Sequence, residues 1–308
     1  SHVLFPGSGG LNVAVSGSTA LVGREAYDFD DSSGVSELDM SGPVPMLMRE
    51  YLAEWGETGY RSVAVGVDQF CYAIHIQHGV TISSRSLICF NRGATNPAAI
   101  HQLPAEGFSY QPVIDGTTMW TRVPHGLMRF DLSDNRNMDL TGVWGFGDAV
   151  TETMLVNGST IYTTAMGEER FLFQVRSTEE PEAVRGEMII DFENFPSILG
   201  LGNHAVLVRF GGLEDALILV DVTDPSTPTV AATIPGMDVR ATQCDGVWLY
   251  LLTVNGDGRS VVVLDISDIH SPQQVATVNL NGYLEHMILR DNYLYAVSSS
   301  YDRAISVL

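Results

Sequence analysis

Two stretches of this chain, Ile218 to Gly236 (ILVDVTDPSTPTVAATIPG) and Val262 to Gly282 (VVLDISDIHSPQQVATVNLNG), superimpose at an offset of 44 residues. The overlay matches Asp221 with Asp265, Thr223 with Ser267, Asp224 with Asp268 and Pro228 with Pro272, and ends on Ala232-Thr233 against Ala276-Thr277. Each copy reads as two strands and a tight turn. Ile218 to Val222 is the apolar, β-branched run of a strand buried on both faces. Thr223-Asp224-Pro225-Ser226 stops it, because short polar side chains bond the backbone just ahead of them and proline fixes φ while removing a donor. Thr229 to Ile234 resumes extended structure. A period in the forties with several short strands per unit belongs to a propeller or another repeat array.

The last residue before the turn can be traced backwards as an anchor, at Asp39, Phe90, Asp131, Gln174, Asp221 and Asp265, in steps of 51, 41, 43, 47 and 44 residues. A proline follows seven residues later in four of the six units, as Pro97, Pro181, Pro228 and Pro272; Pro45 is one place early and Met138 replaces it in the third. Upstream of each anchor lies a strand, a Gly/Asp/Asn turn and a second strand. Seven such elements occur, from NVAVSGSTALVG to MILRDNYLYAVSS. Asp115-Gly116, Asn157-Gly158 and Asp245-Gly246 are hairpin signals, since both residues of each pair tolerate positive φ. Met46 to Trp55 is the only stretch with any helical pattern, and its alignment with the fourth strand of other units argues against a helix.

Seven hairpins against six complete turns leave the last unit short of one strand. His2 to Gly7 supplies a candidate, and pairing it beside Ile305 to Leu308 would cover the exposed edge and close a ring. The expected fold is therefore all-β: one seven-bladed β-propeller domain over 1–308. Its four-stranded blades fall near 9–57, 58–107, 108–149, 150–193, 194–237, 238–281 and 282–308 plus 1–8.

LILVDVTDP and VVVLDISD, and MRFDLSD in part, resemble the LVIVD repeats of bacterial and archaeal β-propellers. The resemblance covers nearly the whole chain, although Phe90 and Gln174 depart from the anchor aspartate. It implies a seven-bladed ring and a secreted or cell-surface setting, with no catalytic activity general to the family.

Charge narrows the partners. All sixteen basic residues are arginine, and the net charge of -21 repels phosphate backbones, so nucleic acid is not an expected partner. No apolar run reaches the length of a membrane span. The first residue, Ser1, points to a trimmed precursor or an expression scar. Cys71 and Cys89 fall on neighbouring strands of one hairpin; a disulfide is geometrically open to them, but the expectation is two buried thiols.

In a propeller the first strand of each blade lines the channel, which places Arg61, Tyr110, Gln111, Glu152, Arg240, Glu285 and His286 near its mouth. Arg61 and Arg240 suit an anion clamp, while Glu152, Glu285 and His286 suit proton transfer or metal binding. An internal salt-bridge ring is the bland alternative, and the one preferred. Asp28, Asp30 and Ser32 stand at calcium-loop spacing, but the glycine falls one place late and no distal glutamate follows. An acidic hairpin tip is the preferred reading there. Trp120, Tyr162, Trp248, Tyr250 and Tyr295 fall on second strands and are expected to pack between blades.

The reading favoured is a non-catalytic binding module, exported or on the cell surface, monomeric or part of a longer chain, with no cofactor. It would engage a protein or small anionic ligand through loops at one face. A hydrolase or lyase acting on an anionic substrate at the channel mouth is the first alternative, and a calcium-dependent adhesive module the second.

Overall fold

The computed structural model describes residues 11–24, 34–42, 46–52, 61–65, 69–78, 81–91, 94, 99–102, 112–123, 125–134, 137–146, 150–166, 171–190, 196–202, 204–210, 216–255, 258–280, 284–290, 293–298 and 305–307. Its strands form six four-stranded sheets and one three-stranded sheet, each built from consecutive segments. Sheet 1 comprises Leu11–Ser16, Thr19–Arg24, Gly34–Asp39 and Met46–Leu52. Sheet 2 comprises Arg61–Val65, Gln69–His78, Thr81–Asn91 and Ala99–Gln102. Sheet 3 follows with Pro112–Asp115, Thr118–Val123, Gly126–Asp131 and Asp139–Gly145. Sheet 4 holds Val150–Asn157, Thr160–Met166, Phe171–Ser177 and Val184–Ile190. Sheet 5 holds Pro196–Gly202, Ala205–Phe210, Ala216–Asp221 and Thr229–Pro235. Sheet 6 holds Asp238–Asp245, Trp248–Asn255, Gly258–Asp265 and Gln273–Leu280. Leu284–Arg290, Tyr293–Ser298 and Ile305–Val307 make sheet 7. Residues 1–8, expected to add its fourth strand, lie outside the described residues.

The strands gather into two compact units, one within Ser1–Val143 and Ala296–Leu308, the other within Trp144–Tyr295. In the first, the leading strands of sheets 1, 2 and 3 adjoin in succession; in the second, those of sheets 4, 5, 6 and 7 do. Among the described residues there is no helix, and so none long and apolar enough to cross a membrane. The MLMREYL segment is a strand at its expected place, the outer edge of sheet 1.

Burial explains why the third strands read as continuous apolar runs. Leu217 to Val220 are all buried, and Val261, Val262 and Leu264 likewise. A strand with a sheet on each side has no face to give to water, so the usual alternation vanishes. Outer strands are largely exposed, as in sheets 3 and 6. The core is correspondingly divided into slabs between neighbouring sheets. Leu87, Met119 and Phe130 pack sheet 2 on sheet 3, Phe173, Val175 and Val220 pack sheet 4 on sheet 5, and Leu219, Leu251 and Leu264 pack sheet 5 on sheet 6. Each such side chain contributes about 1.5–3 kcal/mol on full burial. Trp120, Tyr162 and Tyr295 are buried as expected, but Trp248 is exposed at the edge of its hairpin.

The first hairpins use glycine at the first loop position, Gly17, Gly116, Gly158 and Gly246, with φ of 56°, 61°, 57° and 58°. Only the glycine is left-handed; Asp115, Asn157 and Asp245 end the preceding strands in extended geometry, which corrects the pairwise positive-φ expectation. This is the type II′ arrangement that matches strand twist.

Candidate functional site

The anchor positions come together as one repeated device. Asp39, Asp131, Asp221 and Asp265 each end a third strand, and each Oδ1 accepts the backbone N–H two residues on, at 2.8 Å from Ser41, Ser133, Thr223 and Ser267. The following residue donates its own N–H to the second loop residue of the hairpin: Met40 to Ser18, Leu132 to Thr117, Val222 to His204 and Ile266 to Val247, over 2.7–2.9 Å. Sheet 4 shows the same pattern with a different residue. Ser177 Oγ accepts from Glu179 N at 3.1 Å, and Thr178 N donates to Ser159 O at 3.0 Å.

That geometry moves two anchors. In sheet 4 the anchor is Ser177 rather than Gln174, and in sheet 2 the third strand ends on Asn91, one place past Phe90. The proline seven residues after Gln174 was therefore a coincidence of spacing. Pro181 lies four residues past Ser177 and so takes the place of Pro225, while Val184 takes that of Pro228.

The turns leave the acids little capacity for other work. Asp224 accepts from Ser226 N at 2.9 Å, Ser226 Oγ at 2.7 Å and Thr227 Oγ1 at 3.0 Å, and Asp268 accepts from His270 N at 3.0 Å. These bonds favour the charged form, so the carboxyls of Asp131, Asp221, Asp224 and Asp265 titrate below the ordinary value of 3.8. At Asp221 the amide and hydroxyl of Thr223 act first, with His270 and His204 adding to them. His270 Nε2 lies 3.6 Å from Asp221 Oδ2 and so links the turn of sheet 6 to the anchor of sheet 5. Among the described residues no three His, Cys, Asp or Glu side chains are placed to hold a metal ion.

Sheet 4 also carries a buried cation. Arg176, 3% exposed, donates through Nη1 to Pro181 O at 2.8 Å and Glu182 O at 3.0 Å, and through Nη2 to Gln174 Oε1 at 2.7 Å. Gln174 Nε2 in turn donates to Glu187 Oε2 at 2.7 Å. The guanidinium lies 3.7 Å from the centre of the Phe146 ring. Burial pulls its pKa down to about 10, with Glu187 acting in the opposite direction. Other sheets have Leu38, Phe130, Val220 or Leu264 at this penultimate place. Here the arginine holds the turn that an apolar residue would merely cover.

Of the proposed channel-mouth residues, Tyr110 and Gln111 lie outside the described residues, as do Asp28, Asp30 and Ser32 of the calcium candidate. Arg61 opens the first strand of sheet 2, Glu152 lies in that of sheet 4, Arg240 in that of sheet 6, and Glu285 and His286 in that of sheet 7. The leading strands of sheets 6 and 7 adjoin, so Arg240, Glu285 and His286 are carried by neighbours. Glu152 and Arg240 occupy the same structural place. Each is the extra residue of a β-bulge five positions before its strand ends. In sheet 5 the bulge falls at Leu199, not at Pro196. Bulges re-aim a side chain at the end of a sheet. Arg240 Nη2 donates to Asp238 Oδ2 at 2.9 Å, in an exposed pair two residues apart.

No family model matches this chain, and no curated protein matches it in sequence. Solved structures do match. The β-propeller domain of Cps50 (Swd1) from Myceliophthora thermophila aligns over 100% of this chain and 99% of its own, at 10% identity with a TM-score of 0.71. The chain has a β-propeller fold. A Lactobacillus plantarum protein aligns over 94% of this chain and 95% of its own (10% identity, TM-score 0.69). BamB from Moraxella catarrhalis does so over 97% and 84% (13% identity, TM-score 0.60). At these identities the likeness concerns the fold alone. The four-stranded sheets are the propeller's blades, and their adjoining leading strands are its innermost strands.

The propeller also corrects the cysteine expectation. Cys89 is disulfide-bonded and Cys244 is free. The remaining cysteine of the chain, Cys71, is directly opposite Cys89 in the register of the hairpin. Cys89 Sγ lies 3.3 Å from Met138 Sδ, a contact between sulfurs, since an oxidised cysteine has no hydrogen to donate. Met138 stands at the buried proline position of its own blade, so this contact joins two blades.

Proposed function

We propose that this chain is a non-catalytic interaction module. It is a seven-bladed propeller of the LVIVD-repeat kind, a single domain over 1–308 closed by the strand at residues 1–8. It works outside the cell or at its surface and binds a protein partner or small ligand through the loops of one face. The observation that carries this reading is how the motif acids are used. Asp224 commits both carboxylate oxygens to its own turn, and Asp221 and Asp265 each hold theirs through Oδ1, so the repeat's most distinctive residues shape loops. Loops held on a rigid frame are where binding resides. The disulfide at Cys89 suits an oxidising compartment. The Asp238 carboxylate on Arg240 weighs against an anion clamp, and with it against the hydrolase or lyase alternative.

The test is capture of a partner from the source organism's extracellular fraction by the immobilised protein. The comparison is a variant with the exposed turn acids Glu179 and Glu180 changed to arginine. Capture by the native protein, lost in this variant while its melting curve is unchanged, supports the reading. Turnover of an ester or phosphate substrate that disappears in Arg240→Ala would overturn it.

A further inference from the structure

The fourth strand of sheet 6, Gln273–Leu280, is the outer edge of its blade, and seven of its eight residues are exposed. Native edge strands are normally blunted by charge, proline or shortness. The other described outer edges follow that rule. Sheet 1 has Arg49 and Glu50, sheet 3 begins on Asp139, sheet 4 has Arg185 and Glu187, sheet 5 ends on Pro235 and sheet 2 has four residues. QQVATVNL has no charge, no proline and no glycine. Its one irregularity is a bulge at Val275, beyond which Ala276 to Leu280 pair in unbroken register with Arg259 to Val263.

We infer that this edge pairs with the same edge of a second copy, in antiparallel register about a twofold axis at Val278. The argument rests on self-complementarity. A twofold axis normal to a sheet keeps each side chain on its own face, so opposed residues must be separated by an even number of positions. Centred on Val278, the regular segment meets this condition throughout. Val278 opposes Val278 of the other copy, Ala276 opposes Leu280 on the same face, and Thr277 opposes Asn279 on the other. Apolar residues meet apolar ones, and polar meet polar. A basic partner would find no acid on this strand to recognise, whereas a second copy finds an outer edge that carries no charge, so that two chains of net charge -21 do not repel each other along it. The contact is small beside a standard interface, so the dimer is weak and concentration-dependent, and it strengthens with salt as the remaining repulsion is screened. This departs from the monomer expected from sequence and does not depend on what the loops bind.

Light scattering coupled to gel filtration tests it, across a concentration series at low and high salt. The native chain is expected to move from 33.5 kDa toward twice that mass, further at high salt. Val278→Lys, which sets two ammonium groups face to face on the axis, is expected to stay at the monomer mass with unchanged circular dichroism. Val230→Lys, on the outer strand of sheet 5, should leave the dimer intact. Should Val278→Lys fold poorly, Val278→Cys under mild oxidation provides a second readout, a covalent dimer formed through residue 278. A native chain that stays monomeric in high salt, a dimer that survives Val278→Lys, a dimer lost in Val230→Lys, or no cross-link through residue 278 would each overturn the inference.

Discussion

Replacing Gly186 by alanine asks whether adjacent blades are locked together by shape. Gly186 is buried in the outer strand of sheet 4, and a Cβ built there would lie 2.2 Å from Pro225 O, 2.8 Å from Ser226 C and 2.8 Å from Pro228 Cδ. Two of those atoms are backbone and the third belongs to a proline ring, so no flexible side chain can swing aside. The turn cannot retreat easily either, because Asp224 ties Ser226 and Thr227 to it. An ordinary Gly→Ala change stabilises by about 0.4–1 kcal/mol through the unfolded chain. Overpacking of a rigid contact costs about 1–3 kcal/mol, and the upper part of that range applies here. The sign of the effect therefore decides. Gly186→Ala is expected to lose roughly 2 kcal/mol in urea or guanidinium unfolding at unchanged m-value, and several degrees of melting temperature, at about 2–4 °C per kcal/mol for a large domain. A neutral or stabilised variant would show that the two blades do not meet as described.

Three further outcomes follow from the same geometry. Arg176→Met removes a cation that three oxygens accept from, and should cost roughly 3 kcal/mol in chemical unfolding; Arg240→Ala, which breaks only an exposed pair, should stay within about 0.5 kcal/mol. The carboxyls of Asp131, Asp221 and Asp265 titrate below 3.8 when folded, so the folded state binds fewer protons than the unfolded one near that pH. The stability they supply is complete above 3.8 and is lost as pH falls through the lowered values; Asp221→Asn with Asp265→Asn should flatten that loss in an acid titration of unfolding. Reduction of the disulfide at Cys89 should lower stability by about 2–4 kcal/mol, and Cys89→Ser should match it without reductant, both read by differential scanning calorimetry.

The strand order was legible because two physical signals recur together. Apolar third strands mark burial on both faces, and short polar side chains mark the turns. The anchors of sheets 2 and 4 were misplaced because, with no aspartate present, only the spacing to a later proline marked them. A serine hydroxyl at Ser177 accepts the same backbone N–H that aspartate accepts elsewhere, and nothing in FQVRSTEEP says so until the register is known. Arg176 carried no signal in the sequence; its burial depends on carbonyls at Pro181 and Glu182 brought round by the turn, and on Phe146 from outside the sheet. The channel-mouth residues illustrate a different limit. Alignment put Glu152 and Arg240 at one position, but revealed neither the bulge that falls there nor the bond from Arg240 to Asp238.

The repeated turn has a consequence for how such a chain lengthens. The third-strand termini of sheets 1, 3, 4, 5 and 6 satisfy amides with groups from their own hairpin and the next few residues, as Asp221 does with Thr223 and Val222 does with His204. A segment balanced in this way brings its own hydrogen-bonding partners when it is copied and leaves none stranded when it is deleted. Tandem duplication of about one blade's length then asks only that the new apolar faces fit their neighbours, and the 44-residue offset between Asp221 and Asp265 is the kind of trace that such an event leaves.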